Sequence, residues 1–325
     1  MKSSVLSKIW MDYLSKVRKE YLILIGATIV LSAIGAYFMS DFLTIQHQTE
    51  LFRRISIPGI MALGQTLIIL TGGVDLSVGA NMMTVAIIGG IFFASMGELW
   101  LPMILILLFG ALIGLLNGLG IGLLKVPPIV MTLGMMTALS GFTLVYTGGY
   151  PRGGAHNDLV NFVSTNVMGI PAPGIIWAIL TIILWFVLRK TKFGREVYAV
   201  GSNPISSYLS GIQIKKILVA VYILAGLFTS ISSLFYLGRI ITPALSVAPA
   251  GIGLDYLLAA LAIPVIGGTT FRGGEGGVIG TFIAAYLYGI LRGLLIALGF
   301  GEAGILIFTG IIIAGIIVAR QKVGA

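Results

Sequence analysis

A carboxylate and a glycine pair interrupt a long apolar stretch in the first third of the chain. From Gly64 to Asn81 the sequence reads Gly-Gln-Thr-Leu-Ile-Ile-Leu-Thr-Gly-Gly-Val-Asp-Leu-Ser-Val-Gly-Ala-Asn. The pair Gly72 and Gly73 predicts a break between two helices. In lipid the freed backbone groups find no water, so such a break persists only inside protein or beside a cavity. The ionisable side chain at this break, Asp75, is therefore a functional-site hypothesis.

Two interpretations of Asp75 stay open. An Asp before a new helix caps its free N–H groups, and Ser77 could serve as a cap in the same way. A broken helix can also direct polar groups into a pathway through the protein. The predicted topology places the break near one end of two membrane crossings, where water lowers its cost. The predicted path residues, of which the amide-bearing ones also suit interhelical hydrogen bonds, are Gln65, Thr71, Asp75, Ser77, Asn81 and Asn117.

Composition identifies an integral membrane protein. Of the 325 residues, 58% are hydrophobic and only 10% are charged, whereas soluble domains carry roughly 25% charged residues. No polar stretch is long enough for a soluble domain, so we expect one all-α, polytopic membrane domain over residues 1–325. The chain has no cysteine and only two histidines, His47 and His156, far apart in sequence. We therefore expect no disulfide and no metal site.

Apolar runs of about 20 residues are long enough to cross a bilayer as helices. The chain predicts ten of them, at about 21–39, 55–71, 76–96, 100–124, 128–146, 173–189, 215–237, 254–270, 278–298 and 303–319. With both termini cytoplasmic, 15 of the 20 Lys and Arg residues fall on the inner side, 4 fall outside and Arg292 lies within a span. This bias fixes the predicted orientation, and it explains the net charge of +9 without a nucleic-acid partner.

Three of the segments between or before the predicted crossings carry predictions of their own. Residues 1–20 form a basic, amphipathic, cytoplasmic start, and residues 147–173 form an external loop of weak helix potential. The inner loop, 190–216, is unusually apolar after Glu196. A short helix there, from Ile205 to Gly211, would dock on a partner or on lipid headgroups, and spacing alone does not decide between them. Its predicted face, at spacings of three and four, holds Ile205, Tyr208, Leu209 and Ile212.

A weak internal repeat pairs the fourth and ninth crossings. Gly114-Leu-Leu-Asn-Gly-Leu119 recurs as Gly289-Ile-Leu-Arg-Gly-Leu294, in crossings of opposite predicted direction. Five crossings per half would match the inverted-repeat plan of transporters. The match is short enough to be chance, and small residues between membrane helices have a packing role of their own.

The chain lacks a nucleotide-binding motif. Gly267-Gly-Thr-Thr-Phe-Arg-Gly-Gly-Glu-Gly276 is glycine-rich, but no Gly-Lys-Ser/Thr follows it, so the Walker pattern is missing. We interpret it as a flexible inner turn. No His/carboxylate cluster or Ser/His pairing indicates an enzyme either. If ATP drives this protein, ATP and Mg²⁺ must bind to a separate polypeptide.

At three stretches the sequence resembles the permease subunits of ABC importers of the ribose, xylose, arabinose and galactoside type. These stretches are Gly64 to Gly79, Thr191 to Ile212 and Val265 to Gly276. Departures from the family pattern include Ser206-Ser207-Tyr208 in the inner loop, Pro264, which would kink its helix, and Arg292-Gly293 in the ninth crossing. An arginine inside a span would suit an anionic or highly polar ligand, although snorkelling to the outer interface also explains it.

The resemblance implies a sugar importer in a bacterial or archaeal inner membrane. An extracytoplasmic binding protein delivers the solute, this chain pairs with a second permease copy or a relative, and a separate ATPase drives transport. It assigns a coupling helix, Gly201 to Ile212, and the ATPase-coupling residues Gly194, Arg195, Gly201, Asn203, Ser207, Leu209, Ser210 and Gly211. The alternative is a self-contained secondary carrier that binds H⁺ or Na⁺ through Asp75.

Overall fold

The computed structural model describes residues 21–242 and 253–323, so the predicted amphipathic start at 1–20 lies outside the described residues. Thirteen helices are present in these ranges. They are α1 (Tyr21–Phe38), α2 (Ile45–Leu70), α3 (Val78–Met96), α4 (Trp100–Gly122), α5 (Pro128–Thr147), α6 (Asn157–Ser164), α7 (Ala172–Lys190), α8 (Lys192–Ser202), α9 (Pro204–Leu209), α10 (Ile214–Ile240), α11 (Leu254–Ile266), α12 (Val278–Ala297) and α13 (Glu302–Val323). Two short strands, β1 (Asn166–Val167) and β2 (Ile170–Pro171), pair antiparallel.

The all-α, polytopic fold predicted from composition is confirmed. A helix occupies each of the ten predicted crossings. Seven helices in the described part of the chain are long and apolar enough to span a bilayer: α1, α3, α4, α5, α7, α10 and α12. The number of crossings stays a prediction, because α2 carries Glu50, Arg53 and Arg54 in its first turns while α11 is short.

Helices α2 and α10 form the centre of the bundle. Helix α10 packs on α2, α3 and α4, and α2 also packs on α7, α11 and α12. Every residue of α2 from Gly59 to its end is buried. In contrast, most side chains of α1 and α5 are exposed, as expected of helices that face lipid.

Glycines bring α4 and α10 into close contact. A methyl group on Gly114 would overlap the carbonyl oxygen of Tyr222, and one on Gly226 would overlap that of Gly110. Small residues at such spacing let membrane helices approach backbone to backbone. In the predicted repeat, Gly289 likewise packs on Ile55 of α2. The positions that follow differ, because Asn117 is fully buried while Arg292 lines a cavity, so the repeat is not confirmed.

The external loop is more ordered than its composition predicts. It contains α6 and the β1–β2 hairpin, although its Gly, Pro and Asn content indicated weak helix potential. Helix α6 forms because Leu159 and Val163, four residues apart, are buried against Gly238 of α10. His156 caps it, since its Nδ1 accepts a hydrogen bond from Asp158 N at 3.2 Å. Tertiary packing overrides the weak local propensity here.

Candidate functional site

The break after α2 is a left-handed turn at Gly72, whose φ is +78°. This is a conformation that glycine adopts without steric cost. The N–H groups of Thr71, Gly72 and Gly73 still donate to the last turn of α2, to Ile68 O and Ile69 O. Helix α2 therefore ends with these three hydrogen bonds intact. The backbone N–H and C=O groups that still need a hydrogen-bond partner belong to residues 74–77.

Side chains from three helices satisfy that linker. Tyr222 of α10 donates its hydroxyl to Val74 O at 3.2 Å, and Gln65 of α2 donates its amide to Asp75 O at 3.4 Å. Leu76 N donates to the hydroxyl of Thr132 of α5 at 3.0 Å. Protein side chains thus bond the linker although Gly72 itself is exposed, and irregular backbone in a membrane protein persists where its polar groups are satisfied in this way.

Asp75 accepts hydrogen bonds within the linker. Its Oδ1 accepts from Ser77 N at 2.7 Å and from the Ser77 hydroxyl at 2.6 Å, and Asn117 donates its amide to that hydroxyl at 2.9 Å. Asp75 is only 5% exposed, whereas Gly72 in the same break is exposed, so the contribution of water to the break stays a prediction.

Ser77 occupies the N-cap position of α3, but its side chain makes no capping bond to that helix. It donates to Asp75 instead, so the capping role predicted for the Ser77 side chain is wrong. The carboxylate covers the N–H of Ser77 in an Asx-type turn, which is the local role that Asp side chains often take. Asp75 therefore makes a local turn just before α3, and the choice between a capping role and a role in a path stays open.

All six predicted path residues are buried: Gln65, Thr71, Asp75, Ser77, Asn81 and Asn117. Hydrogen bonds join Gln65 to Asp75 O and Asn117 to Ser77 beside the break. Among the described side chains, the amide oxygens of Gln65, Asn81 and Asn117 are buried without a hydrogen-bond partner. These oxygens are spare acceptors for water or for a hydroxylated solute. Their role in a path stays a prediction.

The inner loop forms two capped helices rather than one. Thr191 caps α8, since its hydroxyl accepts from Gly194 N at 3.2 Å. Asn203 caps α9, because its Oδ1 accepts from Ser206 N at 2.9 Å, and Pro204 takes the first position of α9. Proline suits that position because the first N–H of a helix has no partner in it.

Helix α9 presents three large apolar side chains to its surroundings. Ile205, Tyr208 and Leu209 are 75%, 72% and 79% exposed. Ile212, which the sequence places on the same face, packs against the core instead, because the chain turns at Gly211, whose φ is +81°. An exposed apolar cluster of this kind is compatible with the predicted docking surface, whose partner stays a prediction.

The predicted ATPase-coupling residues separate into two groups. Five are exposed: Arg195, Asn203, Leu209, Ser210 and Gly211. Three are buried: Gly194, Gly201 and Ser207. Ser207 N donates to Asn203 O, and Gly194 lies against the backbone of Leu188. The buried members hold α8 and α9 in place, while the exposed ones are free to touch a partner.

The three sequence stretches singled out above meet at one junction. Gly274 N donates to Leu70 O at 2.9 Å, and the Tyr198 hydroxyl donates to Gly276 O at 3.0 Å. Gly201 fits between Leu70 O and Gly274 N, since a methyl group on it would lie 2.6 Å from that nitrogen and overlap that oxygen. The glycine-rich loop is therefore a packed element and not the free turn that its composition suggested. It connects α8 directly to the end of α2.

A cavity of about 420 Å³ lies at the opposite end of the bundle. It opens between the first half of α2, the end of α10, the start of α11 and the second half of α12. Its charged residues come from four helices, α2, α10, α11 and α12. Sequence reasoning noticed Arg292 but missed its partners. The available signal was that Glu50, Arg239 and Asp255 flank apolar runs at the same predicted membrane face.

The chain shares sequence with a known protein family and with named permeases. Residues 49–319 match the family model described as branched-chain amino acid transport system, permease component. The chain is 36% identical to the ribose import permease protein of Haemophilus influenzae, over 92% of each chain. It is 35% identical to that of Bacillus subtilis over 90% of each, and 35% identical to an autoinducer 2 import system permease protein of Escherichia coli over 72% of this chain and 71% of that one. No solved structure matches the chain.

Proposed function

The chain belongs to the family of transport-system permease components, and from that premise we propose that it forms the solute path of an ATP-driven sugar importer. The relatives at 35–36% identity are named as import permeases, two of them for ribose. The family predicted from the three motifs is confirmed, and so is the prediction of a multi-pass membrane protein. The solute proposed here is a sugar or a related small polar molecule.

The single observation that carries the proposal is the exposed apolar surface of α9. The six-residue helix α9 exposes the side chains of Ile205, Tyr208 and Leu209, and Asn203 caps its first turn. Helix-in-groove recognition uses a few apolar anchors of this kind. We assign this surface to a separate ATPase subunit, which would bind ATP and Mg²⁺, because the chain has no Walker motif of its own.

The junction supports a mechanical route from that surface to the interior. Gly201 lies in the last turn of α8, next to the start of α9. It packs on Leu70 at the end of α2. Beyond Leu70 lie the linker and Asp75. A displacement of α9 on ATP binding would therefore move the break between α2 and α3 first. Such a shift needs the ATPase to bind one state of the permease more tightly than the other.

The remaining partners follow from the same proposal. An extracytoplasmic binding protein would deliver the solute at the cavity end, and a second permease copy or a related chain would complete the path. Helices α1 and α5, whose side chains are mostly exposed, would face lipid or that second copy. Both termini would be cytoplasmic, in the inner membrane. The secondary-carrier alternative is not favoured, because the relatives are import permeases.

Reconstitution in proteoliposomes tests the proposal. The permease, the ATPase and the binding protein of the same import system are combined, and uptake of D-ribose and of D-glucuronate is measured with ATP, without ATP, and with an ion gradient alone. We expect uptake only with ATP and with all three components. Uptake driven by the gradient in the absence of the ATPase would overturn the proposal.

A further inference from the structure

The cavity at the end of the bundle away from α9 has the size of a small-molecule site. Its volume is about 420 Å³, within the range of roughly 300–1,000 Å³ that such sites occupy. Glu50 precedes Leu70 by 20 residues on α2, so the cavity and the junction lie about 30 Å apart along that helix. If α9 faces the ATPase, the cavity opens on the side from which solute arrives. Its charged and titratable lining residues are His47, Glu50, Arg54, Arg239, Asp255 and Arg292.

One carboxylate in this cavity is shared by several arginines. Glu50 Oε1 lies 3.0 Å from Arg54 Nε and 3.1 Å from Arg239 Nη2. Its other oxygen is 3.7 Å from Arg53 Nη1, just outside the lining. A single carboxylate neutralises only one of these three guanidinium groups.

The second pair is loose. Arg292 Nη2 is 3.9 Å from Asp255 Oδ2, and this is the one ion pair recorded for either residue within the described ranges. Hydrogen-bonded guanidinium–carboxylate pairs approach to about 2.7–2.9 Å and are often bidentate. Among the described residues, no closer partner than Asp255 engages the donors of Arg292. Its side chain is 32% exposed and lines the cavity, so a solute can reach them.

The lining carries an excess of positive charge. Three arginines face two carboxylates, which leaves one positive charge with His47 neutral. Arg292 is about a third exposed and Arg54 is 58% exposed, so a solute that enters the cavity can reach this excess charge. An anion bound here would balance the charges of the lining. Tyr256 and Tyr288 supply aromatic wall beside these charges, and a tyrosine combines an apolar ring with a polar hydroxyl.

We propose that this cavity binds a small polyhydroxylated solute with one negative charge, such as a sugar acid. The proposal rests on the transport function proposed above and names the solute class. The carboxylate lies against the guanidinium of Arg292, for which a planar two-oxygen anion is the matching partner, and Arg54 lines the same cavity. Glu50 and Asp255 accept hydrogen bonds from the solute hydroxyls, and the tyrosine rings contact its apolar faces.

Matched sugars test this with the purified full-length permease. D-Glucuronate and D-glucose share a pyranose ring and differ at C6, where one carries a carboxylate and the other a hydroxymethyl group, and D-galacturonate and D-galactose form a second such pair. Thermal unfolding is measured in detergent with each sugar at millimolar concentration. We expect the uronates to raise Tm more than their neutral counterparts, and added salt to reduce the effect, because screening weakens partly exposed charges.

Two variants locate the binding site. Arg292→Gln and Arg54→Gln each remove a positive charge from the cavity. Arg152→Gln is the matched control, since Arg152 is exposed outside this cavity on the same predicted membrane side. We expect both cavity variants to reduce the uronate-induced rise in Tm and the control to keep it. Because Arg292 has only a distant partner and Arg54 is 58% exposed, neither substitution should unfold the protein.

Three results would overturn the proposal. Equal Tm shifts with uronate and neutral sugar would make this a neutral-sugar cavity. A uronate shift that survives in both arginine variants would place binding elsewhere. The absence of a shift with either uronate, together with ATP-dependent D-ribose uptake, would remove the anionic solute and leave the importer function standing.

Discussion

Gly201 of α8 packs on the carbonyl oxygen of Leu70 at the end of α2, so closely that a methyl group on its Cα would overlap that oxygen. The same oxygen accepts the hydrogen bond from Gly274 N. Three segments that are distant in sequence therefore share one backbone group. This contact joins the exposed α9 to the break in the bundle, and it explains why position 201 requires glycine.

Gly201→Ala is expected to destabilise the membrane domain. The new methyl group must displace backbone rather than a side-chain tip, and overpacking of that kind costs about 1–3 kcal/mol. Tm in detergent should fall, and ATP-driven uptake should fall with it. Gly141→Ala on α5 is the control, because nothing lies within 4 Å of a methyl group there. If Gly201→Ala melts like the wild-type protein, the junction is not as tight as described.

Asp75→Asn is expected to keep uptake, whereas Asp75→Ala is expected to lose stability. Asn retains the Oδ1 acceptor for the Ser77 N–H and hydroxyl, and it removes the cost of burying a carboxylate. Alanine leaves a buried N–H unpaired, at about 1–3 kcal/mol. Tm and uptake rate are measured for both variants. Loss of uptake in a stably folded Asp75→Asn protein would instead indicate that the carboxylate binds an ion or the solute.

Gly114→Ala is expected to separate α4 from α10. A methyl group there would overlap the carbonyl oxygen of Tyr222, which belongs to one of the two central helices. We expect a lower Tm than for Gly134→Ala, where a methyl group finds open space on α5. The two substitutions add the same atoms to a membrane helix, so their difference in Tm isolates the contact. Equal melting of the pair would contradict the close packing of α4 on α10.

Apolar run length was sufficient to place a helix in each of the ten predicted crossings, because such segments depend on local composition. Details that depend on tertiary contact were not predictable in the same way. Helix α6 forms in a segment of weak propensity because α10 buries Leu159 and Val163. Ile212 turns into the core because the chain reverses at Gly211. Helical spacing alone places it with Leu209.

The candidate site was predicted in part. The sequence located Asp75 and its break, and the structure adds the side chains that satisfy the backbone there, from Gln65, Thr132 and Tyr222. Those three residues are far apart in the chain, so spacing cannot reveal their convergence. The cavity was missed for the same reason, since Glu50 and Arg239 lie on different crossings and meet only after folding.

Association with the ATPase subunit measures the central claim most directly. Leu209→Arg places a charge on the exposed apolar surface of α9, while Ile45→Arg makes the same change at the opposite end of the bundle, at an equally exposed isoleucine. The permease and the ATPase of its import system are co-expressed, and the amount of ATPase recovered with each purified permease is determined. We predict normal recovery with wild type and Ile45→Arg and a loss of at least about tenfold with Leu209→Arg, equivalent to about 1.4 kcal/mol of binding free energy. Undiminished recovery with a folded Leu209→Arg protein would contradict the account.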